Sequence, residues 1–279
     1  MVSNPVGRMA MLAVTLCVAL PASAQGVSPP LTVFSAGSAK GVLTAILARY
    51  RQETGETVVE VAGSAGLMLD RIEAGEAADV FVSANMGYAR QLTREGKGTP
   101  TVVFALNQLC AIAVPGVGLT GGNIVDRLLD PNVRLGSSNP KNDPSGQYAF
   151  AVFDRADALH PGAAAILKAK DKIGGGAPVG APVVKRNAAE SMAARGVDMM
   201  VSFCSSSDAT PDTSVTRVEL PANLAVPVAF GMTVLTKAGD PARRAASDRL
   251  AAYLMSAPAQ AILATYGFRP AGAVARDQL

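Results

Sequence analysis

The chain has 279 residues, 49% of them hydrophobic and only 5% aromatic, with no Trp and a net charge of +3. A charge so close to balance excludes the polybasic footprint of a nucleic-acid binder. The scarcity of aromatics counts against sugar-stacking platforms and aromatic cages for cations.

Residues 1–24 read as a secretory signal peptide. Arg8 supplies a short positive region, Met9–Leu20 an apolar run, and Ala22-Ser23-Ala24 small residues for cleavage before Gln25. The run is too short for a membrane span of about 20 residues. Cys17 lies inside it without the small residue expected before a lipidated cysteine. Cleavage removes only Arg8 among the charged residues and lowers the net charge from +3 to +2. What remains is long enough for one large domain or two lobes. Two cysteines remain, Cys110 and Cys204. In an oxidising compartment they form either a disulfide or two buried free thiols.

From residue 31 strand-like and helix-like segments alternate. Leu31–Phe34 is a strand that stops at the hydroxyl- and glycine-rich turn Ser35–Ser38. Ala39–Glu53 follows, with Val42, Leu43, Ile46, Leu47 and Tyr50 at helical spacing and Gly55 beyond its end. Val58–Val61 is a second strand, Gly63–Gly66 a second turn and Leu67–Ala74 a second helix. Asp79–Ser83 and Met86–Glu95 complete a βαβαβ pattern, which argues for mostly parallel, doubly wound sheets. The pattern restarts with the strand Leu109–Val114, the short helix Ile124–Leu129 and the strand Val133–Gly136. Pro144–Ala158 is the next helix, and Gly174–Pro182 reads as a surface loop. Ala188–Arg195 is a helix, Met199–Phe203 and Val226–Thr236 are strands, and Pro241–Met255 and Ala259–Tyr266 are closing helices. No internal repeat is found. Two α/β halves with a returning helical tail would face each other across a cleft at the carboxyl ends of their strands.

Four helix starts carry the candidate chemistry, because free N–H groups at the positive end of a helix favour an anion. They are Ser35–Ser38, Gly63–Gly66, Asp143-Pro144-Ser145-Gly146 with Pro144 at the first helical position, and Asn187 with Glu190 at capping-box spacing. Each alone reads as an ordinary capped helix, and it is the four together that point to an anion.

Enzyme readings fare poorly. The single histidine, His160, sits in Leu-His-Pro-Gly beyond a helix, and one His with two separated Cys makes no zinc set. Ser138 and Lys141 fit Ser-x-x-Lys as a secreted hydrolase would, but Pro140 breaks the helix that would bring them together. No Gly-x-Ser-x-Gly elbow occurs. Gly37–Gly41 lacks the spacing of a P-loop or dinucleotide fingerprint, although Glu60 lies roughly where a ribose-binding acid would. A ligand-sensing domain of a regulator conflicts with the signal peptide and with the lack of a DNA-binding segment.

At Leu31–Ser38, Ala62–Gly75, Ala77–Asn85 (Ala-Ala-Asp-Val-Phe-Val-Ser-Ala-Asn) and Tyr266-Gly-Phe the chain resembles the periplasmic molybdate-binding proteins of ABC importers. Asn107-Gln-Leu-Cys110, Asp143-Pro-Ser-Gly-Gln-Tyr148 and Ser202-Phe-Cys-Ser205 fit a divergent branch of that group. The resemblance implies a type II periplasmic-binding-protein fold of two doubly wound α/β lobes, with residues 27–106 plus 208–279 forming lobe 1 and 107–207 lobe 2. It implies a monomer that meets an inner-membrane ABC permease, without cofactor, metal cation or nucleic acid. The ligand is then a tetrahedral oxyanion, molybdate or tungstate, held by backbone N–H groups and hydroxyls with no cationic side chain. Another anion or a small organic acid in the same cleft is the alternative.

Carried over by position, the family's first serine becomes Ser38. Its second falls on Ala65, with Ser64 beside it. The small residue at the third helix start becomes Ser145, and the N–H donor before the next helix becomes Asn187. The family's tyrosine falls near Cys204–Ser205, where this chain has no tyrosine, leaving Ser205 as the nearest hydroxyl. If Cys110 and Cys204 pair, they tie two central strands of the second lobe beside the cleft. Asp143 is the complication: as a cap it leaves selectivity to the family pattern, whereas facing the cleft it would repel a dianion or accept a proton from a protonated or organic ligand.

Overall fold

The computed structural model describes residues 1–2, 29–174, 186–236 and 240–273. The expected signal peptide lies almost entirely outside these residues. So does the expected loop 174–182, apart from Gly174.

Eleven strands and nine α-helices are described. In the first lobe β1 (Leu31–Ala36) runs through a 3-10 turn, Gly37–Ala39, into α1 (Lys40–Thr54). Then come β2 (Val58–Gly63), α2 (Ala65–Glu73), β3 (Val80–Ser83), α3 (Met86–Arg94) and β4 (Val102–Asn107). Gln108 alone separates β4 from β5 (Leu109–Ala113), the first strand of the second lobe. That lobe continues with α4 (Ile124–Leu129), β6 (Leu135–Ser138), α5 (Pro144–Ala156), α6 (Ala163–Lys170) and β7 (Lys172–Gly174). It closes with α7 (Ala188–Ala194), β8 (Met199–Phe203) and β9 (Thr216–Glu219). The chain then returns through β10 (Val228–Val234), α8 (Pro241–Leu254), α9 (Ala257–Thr265) and β11 (Arg269–Pro270).

The strands form two sheets, in the orders β11-β4-β10-β3-β1-β2 and β7-β6-β8-β5-β9. Each is mixed. The parallel pairs are β1 with β2 and β3 in one sheet, and β6 with β7 and β8 in the other. The strands next to the two crossings, β10 and β5, run antiparallel to their neighbours. The expected return to the first lobe at residue 208 needs correction: β9 pairs with β5, so the second sheet reaches Glu219 and the return crossing is residues 220–227.

The apolar residues that set the helical spacing of α1 (Val42, Leu43, Ile46, Leu47 and Tyr50) are all buried against the first sheet. One core cluster extends through both lobes. At the crossings an aromatic chain joins them. Tyr148 of α5 meets Phe203 at 5.9 Å, Phe203 meets Phe230 at 5.3 Å, and Phe230 meets Phe268 at 5.3 Å between ring centres. Arg243 of α8 grips the buried Asp79 through two nitrogens at 2.8 and 2.7 Å, which fixes the returning helix under the first sheet.

The lobes touch across the cleft. Gly66 N donates to the Asn142 carbonyl at 2.9 Å, Asn85 Nδ2 to Gln147 Oε1 at 3.0 Å, and Ser206 N to the Tyr266 carbonyl at 2.9 Å. Two glycines make this approach possible. A Cβ on Gly66 would stand 2.4 Å from the Asn142 carbonyl oxygen, and one on Gly41 would stand 1.9 Å from that of Ser207. Among the described residues no helix is long and apolar enough to cross a membrane.

Candidate functional site

Each of the four helix starts singled out by the sequence lies at the carboxyl end of a strand or at a lobe edge, but the structure satisfies them differently. At the first, neither the 3-10 turn nor α1 has a side-chain cap. Ser38 is half-buried there and faces a cavity between the lobes. Ser35, its neighbour in the sequence motif, points elsewhere. Its hydroxyl donates to Glu60 Oε1 at 2.7 Å, and Thr44 donates to the other oxygen at 3.0 Å. Burial raises the Glu60 carboxyl while these two hydroxyls and Lys40 oppose it, so this acid is part of a packed hydrogen-bond group.

At the second start, Ser64 precedes α2 but caps nothing within it. Its hydroxyl donates to the Asn142 carbonyl, the same oxygen that accepts from Gly66 N. Ala65 is buried beneath. A carbonyl from the second lobe therefore takes the place where an anion's oxygen would sit.

At the third, Asp143 caps α5 by accepting from Ser145 N at 2.9 Å. Burial raises the Asp143 carboxyl above its ordinary value, and the Ser145 N–H, Arg195 and the Ser138 hydroxyl pull the other way. Ser145 is buried, and its hydroxyl pairs with that of Ser202 at 3.1 Å. At the fourth, Asn187 is exposed and forms a reciprocal capping box with Glu190. The next two N–H groups of α7 are also taken: Ala188 N donates to Asp212 and Ala189 N to Ser214.

The cavity has a volume of about 260 Å³. Gly37 and Ser38 line it from the first lobe. Ile112, Met200 and Ser202 form its floor on the second sheet, and Ser191 and Met192 of α7 and Arg195 just past its end also line it. Ser205, Ser206 and Ser207 close one end, and Arg217 of β9 stands at the edge of the floor. Of the residues named from the sequence, the cavity brings together Ser38 and Ser205. Ser145 reaches it only through Ser202, and Ser64, Ala65 and Asn187 are not in its lining. Ser205 is held from below by Asn107 Nδ2 at 2.8 Å. The Cys110–Cys204 disulfide, with Cα atoms 5.0 Å apart, pins the segment just before it.

Sequence reasoning gave no site role to Ser202, although it opens the motif Ser202–Ser205, nor to Arg195 or Arg217. Ser202 and Met200 alternate along β8, a period-2 signal that puts both on one face. Arg217 lies on a four-residue strand that the hydrophobic pattern does not reveal. Two arginines in the lining depart from the expected absence of cationic side chains. Ser138 and Lys141, the hydrolase candidates, share no hydrogen bond among the described residues; Lys141 is exposed, and Ser138 supports Asp143. Also among the described residues, no group of three or more His, Cys, Asp or Glu could hold a metal ion.

Residues 31–269 match the family model described as bacterial extracellular solute-binding protein. An uncharacterised protein of Pasteurella multocida is 36% identical over 147 residues, covering 50% of this chain and 58% of that protein. The molybdate-binding protein ModA of Haemophilus influenzae is 27% identical over 86% of this chain and 90% of its own length. Among solved structures, the periplasmic molybdate-binding protein of Azotobacter vinelandii superposes with a TM-score of 0.68 at 20% identity, over 85% of this chain and 98% of that one. The sulfate-binding protein SubI of Mycobacterium tuberculosis superposes equally well, at 0.68 and 15% identity over 86% of each chain.

Proposed function

The chain belongs to the bacterial extracellular solute-binding proteins, and from that premise we propose that it captures a small anion between its lobes in the periplasm and delivers it to an ABC permease. The observation that carries this reading is the cavity in which Ser38 of one lobe faces Ser202, Ser205 and Arg217 of the other. Hydroxyls and a guanidinium converge there, and among the described residues no carboxylate is in the lining. The signal peptide read in residues 1–24 supplies the route to the periplasm.

Capture and closure are linked. A ligand that bonds to donors on both lobes stabilises the closed arrangement over the open one by the difference in those contacts. Hydrogen bonds to a charged group contribute about 1.5–3 kcal/mol each. Four such bonds, less the cost of ordering, are compatible with micromolar binding at about 8 kcal/mol.

The names of the relatives favour molybdate as the anion, with tungstate its chemical analogue. A second reading, an organic anion, is favoured by Arg217 and by the Ile112–Met200 floor beside it, since neither belongs in a cage of neutral donors. Isothermal titration calorimetry of the mature chain against both classes tests the shared claim. We expect saturable binding of at least one anion and a loss of roughly tenfold or more in Ser38→Ala, equivalent to one charge-assisted bond. Binding of no anion of either class would remove the reading.

A further inference from the structure

We propose that Arg217 anchors the anionic group of a small organic ligand, a carboxylate or phosphate ester, whose carbon body lies on the Ile112–Met200 floor beside Met192. This rests on the anion-capture reading and names its substrate class.

Arg217 is half-buried, and among the described residues its guanidinium has no hydrogen bond or ion pair. The carboxylate that acts on it, Asp212, is already committed to Ala188 N, Ser214 N and the Ser214 hydroxyl. A partly desolvated guanidinium without a partner is costly to keep. Its planar fork suits a carboxylate or phosphate supplied from outside. The neighbouring Arg195 is different, since it donates to the Ser137 carbonyl at 2.9 Å.

Strand register fixes what lies beside that fork. Arg217 pairs with Ile112, and Ile112 with Met200, so three side chains stand in a row on one face of the second sheet. Ile112 and Met192 are buried. Apolar atoms in that row cannot hydrogen-bond to the oxygens of a bare tetrahedral dianion, which would give up water there without replacement. They suit a short hydrocarbon or polyol backbone. Three of the four helix starts that would hold a bare dianion are occupied by the chain itself, α2 by the Asn142 carbonyl, α5 by Asp143, and α7 by Asp212, Ser214 and Asn187, which leaves only the start at Ser38. A volume of about 260 Å³ is many times what one water requires and just under the lower end of metabolite-sized pockets, about 300 Å³.

The test is titration of the mature wild-type chain, Arg217→Gln and Arg217→Lys with succinate, malate and glycerol 3-phosphate, beside molybdate, tungstate, sulfate and inorganic phosphate. The inference expects an organic probe to bind more tightly than any inorganic one. It expects a loss of at least tenfold in Arg217→Gln and a smaller loss in Arg217→Lys, which keeps the charge without the fork. The dicarboxylate and phosphate-ester arms identify the head group. The melting temperature of unliganded Arg217→Gln should equal or exceed wild type, since an unpaired charge is removed; a purely structural arginine would lower it. An inorganic oxyanion that binds tightest, with affinity unchanged in Arg217→Gln, overturns this inference and leaves anion capture standing. So does an organic probe whose affinity ignores Arg217. Failure of every anion to bind overturns both.

Discussion

A carboxylate at a helix start takes the position that a bound anion would otherwise hold, and Asp143 takes it at α5. The sequence left open whether this residue caps or faces the cleft; it accepts from Ser145 N as a cap, yet is buried enough that its carboxyl titrates above the ordinary 3.8. For an acid raised in the folded state, the native form binds more protons between the two values. Stability therefore falls as pH rises from about the unfolded value through the folded one, and is level above it. Asp143→Asn keeps a good cap and removes the buried charge. Thermal melts between pH 3.5 and 7 should show a flatter profile for the variant and a melting temperature at pH 7 no lower than wild type. Anion affinity should rise, since a fixed negative charge beside the cleft is gone; weaker binding would mean that Asp143 serves the ligand directly. Ser38 is the opposite case. It stands in a serine-glycine turn after a strand, and among the described residues no side-chain cap takes the donors of that turn.

Helices were the most readable elements, and the reason is burial. α1, α2 and α3 each carry a stripe of apolar residues that the first sheet covers. β4 was missed, since the sequence reading began its strand only at Leu109, and Gln108 alone separates the two strands although they belong to different sheets. α6 hides because Gly162, with φ of 89°, precedes it without a side-chain cap. β9 alternates weakly and carries Arg217 and Glu219, so it looks like loop until β5 pairs with it. The contact between α2 and Asn142 joins residues 78 apart in sequence, and no local pattern announces it. It makes a direct prediction. In Gly66→Ala the new Cβ would stand 2.4 Å from the Asn142 carbonyl oxygen, so backbone on one side of this contact between the lobes must move away. Overpacking of this kind costs about 1–3 kcal/mol, here charged against closure, which is roughly 5- to 150-fold in affinity. Small-angle scattering of the variant should report a larger radius of gyration. An unchanged radius and unchanged affinity would show that the clasp contributes nothing to closure.

Across the molecule, two crossings, an aromatic chain and a disulfide define how the lobes meet. Cys110–Cys204 closes a span of 94 residues within the second lobe. In the chain-entropy account a loop of that length contributes about 4–5 kcal/mol. The double variant Cys110→Ser/Cys204→Ser should unfold at a markedly lower urea concentration, with a steeper dependence on urea because the uncrosslinked chain expands further. An unchanged midpoint would place the disulfide's role in fixing Ser205 rather than in stability. The sequence by itself determined two α/β lobes, the helix starts between them and the likeness to oxyanion-binding proteins, because apolar periodicity, caps and turn residues are local properties of a chain. Only the tertiary structure decided which donors remain for a ligand. An N–H at a helix start is the same group whether its partner is an anion, the Asn142 carbonyl or Asp212, and those partners arrive from distant parts of the chain. The same holds for Arg217: its charge is written in the sequence, but its lack of a partner among the described residues is a property of the fold.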